Sequence, residues 1–195
     1  MSFISDFFLP TGAVALAEVG DKTQLLAFVL AARFRRPLPI IWGIFVATLV
    51  NHAVAGAVGF LFSEKLGPEL LRWVLGLGFI AMGAWLLIPD RLHSDEAPIA
   101  PRFGIFGTTV VVFFLAEMGD KTQVATIALA AQSASAYLVI LGTTLGMMIV
   151  NVPAVLLGDR LAERVPAKPM HRIAAGLFIS LGIFVLSGFK GTFFE

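Results

Sequence analysis

Two short stretches of the sequence carry acids, a lysine, a threonine and a glutamine at the same spacing. Residues 18–24 read EVGDKTQ and residues 117–123 read EMGDKTQ, so six of the seven letters are shared. Both lie in apolar surroundings, where a charge at the bilayer centre costs about 2.5–3.5 kcal/mol on insertion scales. One such cluster could simply join two helices, but two copies at matching positions indicate a transport pathway.

The carboxylates of the two stretches have the chemistry of a site for a hard divalent cation. If the stretches meet, they supply four carboxylates beside hydroxyl and amide oxygens, the ligands that Ca²⁺, Mn²⁺ and Mg²⁺ prefer. Protons could neutralise the same acids, because closely packed like charges disfavour simultaneous ionisation. The predicted metal ligands are Glu18, Asp21, Thr23, Gln24, Asn51, Glu117, Asp120, Thr122, Gln123 and Asn151.

On a continuous helix, the charges of each stretch would share one face. Glu18 and Asp21 are three residues apart, which separates them by roughly 60° around a helix. Lys22 follows Glu18 at i+4, the favoured spacing for a Glu–Lys pair. Lys22 and Lys121 are therefore predicted to pair with the acids when no cation is bound.

Three further polar residues lie in other apolar segments. Asn51 and Asn151 could add amide oxygens to the site, but an interhelical hydrogen bond is the favoured interpretation for both. His52 has no counterpart in the second half, where Val152 follows Asn151. We therefore interpret His52 as structural or as a minor proton site.

The composition places these residues in a membrane. Hydrophobic residues make up 58% of the 195 residues and charged residues only 14%, too apolar for one soluble core to bury. The net charge of +1 gives no indication of nucleic-acid binding, and the absence of cysteine excludes thiolate metal sites. The chain is predicted to be an all-α integral membrane protein.

Six apolar segments approach or exceed the roughly 20 residues that a membrane helix needs. They cover approximately residues 7–32, 38–62, 72–89, 103–131, 137–158 and 173–190. The motif recurs after 99 residues, and the pairs Gly43/Gly142, Gly59/Gly158 and Glu64/Glu163 share that spacing. Because each unit has an odd number of spans, the second must cross in the opposite sense, as in inverted-repeat transporters. We predict two inverted three-helix repeats, 1–90 and 103–195, joined by a cytoplasmic linker, 91–102.

Loop charges predict the orientation. The first, third and fifth loops carry nine Lys and Arg residues, while the opposite side carries three. Because the positive side of a membrane protein is usually cytoplasmic, both termini are predicted to lie outside. The pairs Gly43–Ala47 and Gly142–Gly146 are predicted to be small-residue helix contacts.

The doubled motif resembles the signature Glu-x-Gly-Asp-Lys/Arg-Thr/Ser of the manganese/calcium cation–proton exchangers. Members of that family occur in the Golgi, in chloroplasts and in bacterial plasma membranes, within the lysine-exporter-type superfamily. Short loops and the lack of an organelle-targeting sequence resemble its prokaryotic branch. The matching residues are Glu18, Gly20, Asp21, Lys22, Thr23, Glu117, Gly119, Asp120, Lys121 and Thr122.

The resemblance implies six transmembrane helices and export of Mn²⁺, or of Ca²⁺ in some members, driven by inward proton flow. The motif acids would carry the cation. We expect a secondary transporter of the bacterial inner membrane that needs no cofactor and binds a divalent cation and protons; an oligomer is compatible with the sequence.

Two alternatives are open at this point. Four acids beside two lysines could hold a zwitterion, so the chain could export a small organic cation or amino acid. A membrane enzyme or a structural subunit is disfavoured, because the sequence has no histidine-based metal motif and no Ser/His/Asp arrangement.

Overall fold

The computed structural model describes residues 4–88, 103–157 and 167–187, and the regular elements in these ranges are all helical. A π-helical turn, Ile4–Phe8, leads into the first α-helix. The α-helices are α1 (Leu9–Glu18), α2 (Lys22–Phe34), α3 (Pro37–Lys65), α4 (Pro68–Leu86), α5 (Gly104–Glu117), α6 (Lys121–Gln132), α7 (Ala136–Leu157) and α8 (Ala167–Leu186). The predicted linker 91–102, Gly158 and Glu163, together with Arg91, Arg102, Arg160, Arg164 and Lys190, lie outside the described residues.

Four of these helices are long and apolar enough to cross a membrane, namely α3, α4, α7 and α8. They correspond to the predicted second, third, fifth and sixth spans. Helices α3 and α4 each begin with proline, at Pro37 and Pro68. Proline suits the first helical turn because its missing N–H would have no helical partner there.

The other two predicted spans, 7–32 and 103–131, are not single helices, so that part of the prediction is wrong. Helix α1 ends at Glu18 and α2 begins at Lys22, while α5 ends at Glu117 and α6 begins at Lys121. The physical reason is a glycine in the left-handed region within each motif, with φ of 81° at Gly20 and 76° at Gly119. A left-handed residue cannot continue a right-handed helix.

Two of the long helices, α3 and α7, each pack against the broken helix pair of the other repeat unit. Helix α3 packs against α5 and α6, while α7 packs against α1 and α2. Helix α4 lies along α8, and α3 also contacts α7. This packing buries the acids that flank the two helix breaks, although Met118 and Gly119 within the second break are exposed.

Small residues make the close contacts in this packing, as predicted. A Cβ atom at Gly146 would lie 2.5 Å from the carbonyl oxygen of Thr11, and one at Gly142 would lie 2.5 Å from that of Phe7. On the other side, a Cβ at Gly43 would lie 2.6 Å from the side chain of Thr109. The glycines therefore let helix backbones approach to a distance that a side chain would prevent.

Gly146→Ala is expected to lower the thermal stability of the protein, because the new methyl group meets the backbone of α1. Overpacking of this kind costs about 1–3 kcal/mol. The matched control is Gly78→Ala in α4, where nothing lies within 4 Å of the added atom; it should be neutral or stabilising by up to about 1 kcal/mol. Melting temperatures of the two variants in detergent test this, and equal values would contradict the packing.

Candidate metal site

Each motif forms a tight turn between two helices rather than a helix face. The backbone N–H of Asp21 donates to the Glu18 carbonyl at 3.0 Å, and that of Asp120 donates to the Glu117 carbonyl at 3.1 Å. Each aspartate is extended and precedes the first residue of the next helix. The predicted arrangement of the acids on one helix face is therefore wrong, because a left-handed glycine breaks the helix between the two acids of each motif.

The threonine and the glutamine of each motif hold this turn in shape. Thr23 Oγ1 donates to Glu18 Oε2 at 2.6 Å, and Thr122 Oγ1 donates to Glu117 Oε1. The side-chain Oε1 of Gln24 accepts from the backbone N–H of Gly20 at 2.7 Å, and Oε1 of Gln123 accepts from that of Gly119 at 2.7 Å. The threonines thus orient the glutamates, while the glutamines satisfy backbone groups that the helix break exposes.

Three carboxylates from the two motifs come together at the centre. Glu18, Glu117 and Asp120 each offer an oxygen, and these oxygens all lie within 4.8 Å of one another. The three residues are 0%, 1% and 4% exposed. Asp21 is buried too but does not belong to this group. The structure therefore unites acids of both motifs, from residues about a hundred positions apart.

The motif lysines differ in their contacts. Lys22 Nζ lies 3.0 Å from Asp120 Oδ1, so this lysine pairs with an acid of the other motif rather than with Glu18 at i+4. The Lys121 ammonium donates to the carbonyl oxygen of Ile88, at the end of α4, at 3.1 Å. The ammonium group of Lys22 therefore lies next to the three grouped acids.

The two buried asparagines also differ. Asn51 accepts a hydrogen bond from Gln123 Nε2 and donates to the carbonyl oxygen of Phe114 at 3.4 Å, so it joins α3 to α5 and α6. Asn151 donates to the carbonyl oxygen of Met147 within α7 at 3.0 Å. Its Oδ1 atom has no hydrogen-bond partner among the described residues. The interhelical hydrogen bond predicted for Asn51 is present, whereas the one predicted for Asn151 is not found among the described residues, because its amide donates within α7.

His52 lies closer to the acids than the sequence indicated. It is fully buried in α3, and its Nε2 atom lies 3.9 Å from Glu117 Oε1. The missing counterpart in the second half led us to interpret it as structural or as a minor proton site. The available signal was its position next to Asn51, which the repeat already placed deep in an apolar segment.

Several buried oxygens of the acids have no hydrogen-bond partner in the described part of the chain. They are Glu18 Oε1, Glu117 Oε2 and Asp120 Oδ2. Buried polar atoms are normally paired, so these atoms are exceptions that require a reason. Each of these three residues offers one oxygen within 4.8 Å of the others, a separation that suits a divalent cation, whose ligand distances of about 2.0–2.6 Å let two ligand atoms lie roughly 4–5 Å apart.

Comparison with known families agrees with this chemistry. A family model described as divalent cation/proton antiporter GDT1 matches two segments of the chain, residues 6–94 and 105–191. The chain belongs to the GDT1 family. It is therefore a multi-pass membrane transporter and not an enzyme, in agreement with the resemblance of the doubled motif.

Named relatives of the GDT1 family share most of their length with this chain. A Vibrio cholerae protein named "Putative manganese exporter" is 50% identical over 171 residues, covering 87% of this chain and 84% of the relative. A GDT1-like protein of Synechocystis is 30% identical over 183 residues, covering 85% and 88%. A GDT1-like protein of Oryza sativa is 26% identical over 201 residues, covering 90% and 71%. No solved structure matches the chain.

Gly119→Ala is expected to reduce cation transport by this GDT1 protein roughly tenfold, comparable to loss of an outer contact at a metal site. An alanine at φ of 76° costs about 1–2 kcal/mol of strain, and relief of that strain would move Glu117 relative to Asp120. Gly104→Ala is a matched control, since Gly104 is also left-handed, with φ of 69°, and has open space around it. Both variants should lose similar stability, but only Gly119→Ala should lose flux in liposomes.

Proposed function

We propose that this chain exports Mn²⁺ from the bacterial cytoplasm across the inner membrane in exchange for protons. The observation that carries the proposal is the group of three buried carboxylates, Glu18, Glu117 and Asp120, contributed by both motifs. The name of the Vibrio cholerae relative supports manganese as the transported ion. Ca²⁺, which takes the same oxygen ligands, is the second candidate ion.

In this proposal the cation and protons compete for the same oxygens. Deprotonated Glu18, Glu117 and Asp120 take up Mn²⁺ from the cytoplasmic side, and protons from the outer side displace it. The ammonium of Lys22, already 3.0 Å from Asp120, supplies positive charge when the metal has left. Such compensation is needed because buried carboxylates without a partner are costly in a low-dielectric interior.

The other predicted site residues take supporting parts in the proposal. Thr23 and Thr122 hold the glutamates, and Gln24 and Gln123 hold the turns. Asn151 Oδ1, which has no hydrogen-bond partner in the described ranges, could join the cation, whereas Asn51 joins helices. Asp21 would take part at another stage of the cycle, and Lys121 would act as a second internal cation.

We further propose six membrane crossings, arranged as two inverted repeats with both termini outside. The repeats would cover 1–90 and 103–195, joined by a cytoplasmic linker, 91–102. Several observations support this arrangement. The broken pairs α1–α2 and α5–α6 have 23 and 26 helical residues, which at 1.5 Å each is enough for a bilayer core of about 30 Å. The family model also matches in two segments.

Half-helices that meet at a buried site are typical of secondary transporters. Here the peptide N–H groups at the starts of α2 and α6, and the carbonyl groups at the ends of α1 and α5, lie beside the motif acids. The break therefore brings polar backbone groups next to the acids at which the cation and the protons would exchange. A motif in a continuous helix would not provide these groups.

Flux measurements on purified protein in liposomes test the proposal. We expect Mn²⁺ to accumulate inside vesicles when a proton gradient is directed outward, and uptake to stop when a protonophore removes the gradient. The same vesicles with Ca²⁺ give the ion preference, and competing amino acids test for export of a zwitterion. Proton-independent Mn²⁺ uptake, or inhibition by amino acids but not by Ca²⁺, would contradict the proposal.

A further inference from the structure

His52 is a polar side chain buried in α3. It is fully buried, and neither Nδ1 nor Nε2 has a hydrogen-bond partner within the described ranges of the chain. A buried neutral imidazole normally donates through one nitrogen and accepts through the other. A core role alone would therefore leave two buried polar atoms unsatisfied.

The imidazole lies beside Glu117, one of the three grouped acids. Its Nε2 atom lies 3.9 Å from Glu117 Oε1, too far for a hydrogen bond but within the separation of two ligands on one divalent cation. Glu117 also contributes Oε2, which has no hydrogen-bond partner among the described residues. A cation beside Glu117 would thus lie within reach of an unpaired imidazole nitrogen.

We propose that His52 Nε2 is a ligand of the transported cation and makes the site select manganese over calcium. The inference rests on the proposed function, since it concerns the ion that the same carboxylates carry. Calcium and magnesium sites are built from oxygen ligands, whereas first-row transition-metal ions accept mixed nitrogen and oxygen sites. One imidazole among carboxylates therefore favours Mn²⁺ without giving up the negative charge that a divalent cation needs.

The second half of the chain provides no equivalent nitrogen. Val152 follows Asn151 where His52 follows Asn51. The nitrogen ligand would come from α3 alone. The selectivity therefore depends on one residue, which a single substitution can remove without changing the carboxylates.

The direct test is pulsed electron paramagnetic resonance of Mn²⁺ bound to the purified wild-type protein. Modulation from a directly coordinated ¹⁴N nucleus is expected, and it should change to that of ¹⁵N when the protein is made with ¹⁵N-labelled histidine. The signal should disappear in His52→Gln and persist in His171→Gln, the matched control in α8. Bound Mn²⁺ with no histidine nitrogen signal would overturn the inference, whatever the folding of the variants.

The functional test compares ion preference in liposomes. His52→Gln is expected to lower the ratio of Mn²⁺ to Ca²⁺ affinity by about tenfold or more, the size of effect seen when contacts at metal sites are removed. His171→Gln should leave the ratio unchanged. An unchanged ratio, whether or not the affinities for both ions fall together, would show that His52 has only a packing role and would overturn the inference.

The two proposals fail in different ways. Proton-coupled Mn²⁺ flux in the wild type, with an unchanged Mn²⁺ to Ca²⁺ ratio in His52→Gln, overturns the role of His52 and leaves the antiport intact. A wild-type protein that carries no Mn²⁺ overturns both. A His52→Gln variant that transports Ca²⁺ normally but Mn²⁺ poorly supports both.

Discussion

Glu18→Gln and Glu117→Gln are each expected to reduce Mn²⁺ flux in liposomes to the level of protein-free vesicles. Glutamine keeps the shape of the side chain and can still accept from Thr23 or Thr122, but it removes the charge of one of the three grouped carboxylates. A divalent cation in a low-dielectric site depends on those charges. The loss should be on the order of a hundredfold or more, since outer contacts alone are worth 10–100-fold.

The matched control for these variants is Glu69→Gln, an exposed glutamate in the first turn of α4. Its flux should equal that of the wild type. Both motif variants should remain folded, because replacing a buried acid by an amide removes charge from an apolar interior. Normal Mn²⁺ flux in both Glu18→Gln and Glu117→Gln would exclude the carboxylate group as the transport site.

Lys22→Met is expected to lower the stability of the cation-free protein and to increase the stabilisation that Mn²⁺ binding provides. Its ammonium lies 3.0 Å from Asp120, so its removal leaves that acid without its positive partner. Breaking a fully buried pair costs about 3–5 kcal/mol; because Lys22 is 23% exposed, about 1–3 kcal/mol is expected. The increase in melting temperature on adding Mn²⁺ should therefore be larger in Lys22→Met than in the wild type.

A double variant separates the pair from the site. Lys22→Met with Asp120→Asn should recover most of the lost stability, because both charges are gone, yet transport should stay low. Lys65→Met, at an exposed lysine near the end of α3, is the control and should change neither property. If Mn²⁺ raises the melting temperature of Lys22→Met and of the wild type equally, Lys22 does not compensate the charge of the acids in the absence of the metal.

Much of the helical architecture could be predicted from hydropathy, because long apolar segments leave few alternatives in a membrane. The breaks at residues 19–21 and 118–120 could not. Their only local signal is one glycine in each motif, and glycine in an apolar helix is equally typical of close helix packing, as at Gly146. The difference is the sign of φ, which depends on the tertiary structure.

The residues of the candidate site were predictable as types, since charges in an apolar chain are few. Their grouping was not. The repeat treats the two motifs as equivalent, but Asp120 joins the glutamates while Asp21 does not, and Lys22 and Lys121 have different contacts. Such differences arise from how the two halves pack, and a sequence repeat carries no information about that packing. His52 was undervalued for the same reason, because it breaks the repeat.

The packing of α3 against α5 and α6 has a consequence for biosynthesis. The hydrogen-bond partners of Asn51, at Phe114 and Gln123, are 63 and 72 residues further along the chain. At a translation rate of about 5–20 residues per second, α3 therefore waits roughly 3–15 s after its own synthesis before they are made. During that interval the side chain of Asn51 lacks both partners, and an unsatisfied polar group is costly in lipid. Slowed translation between α3 and α6 should accordingly increase degradation of the nascent chain.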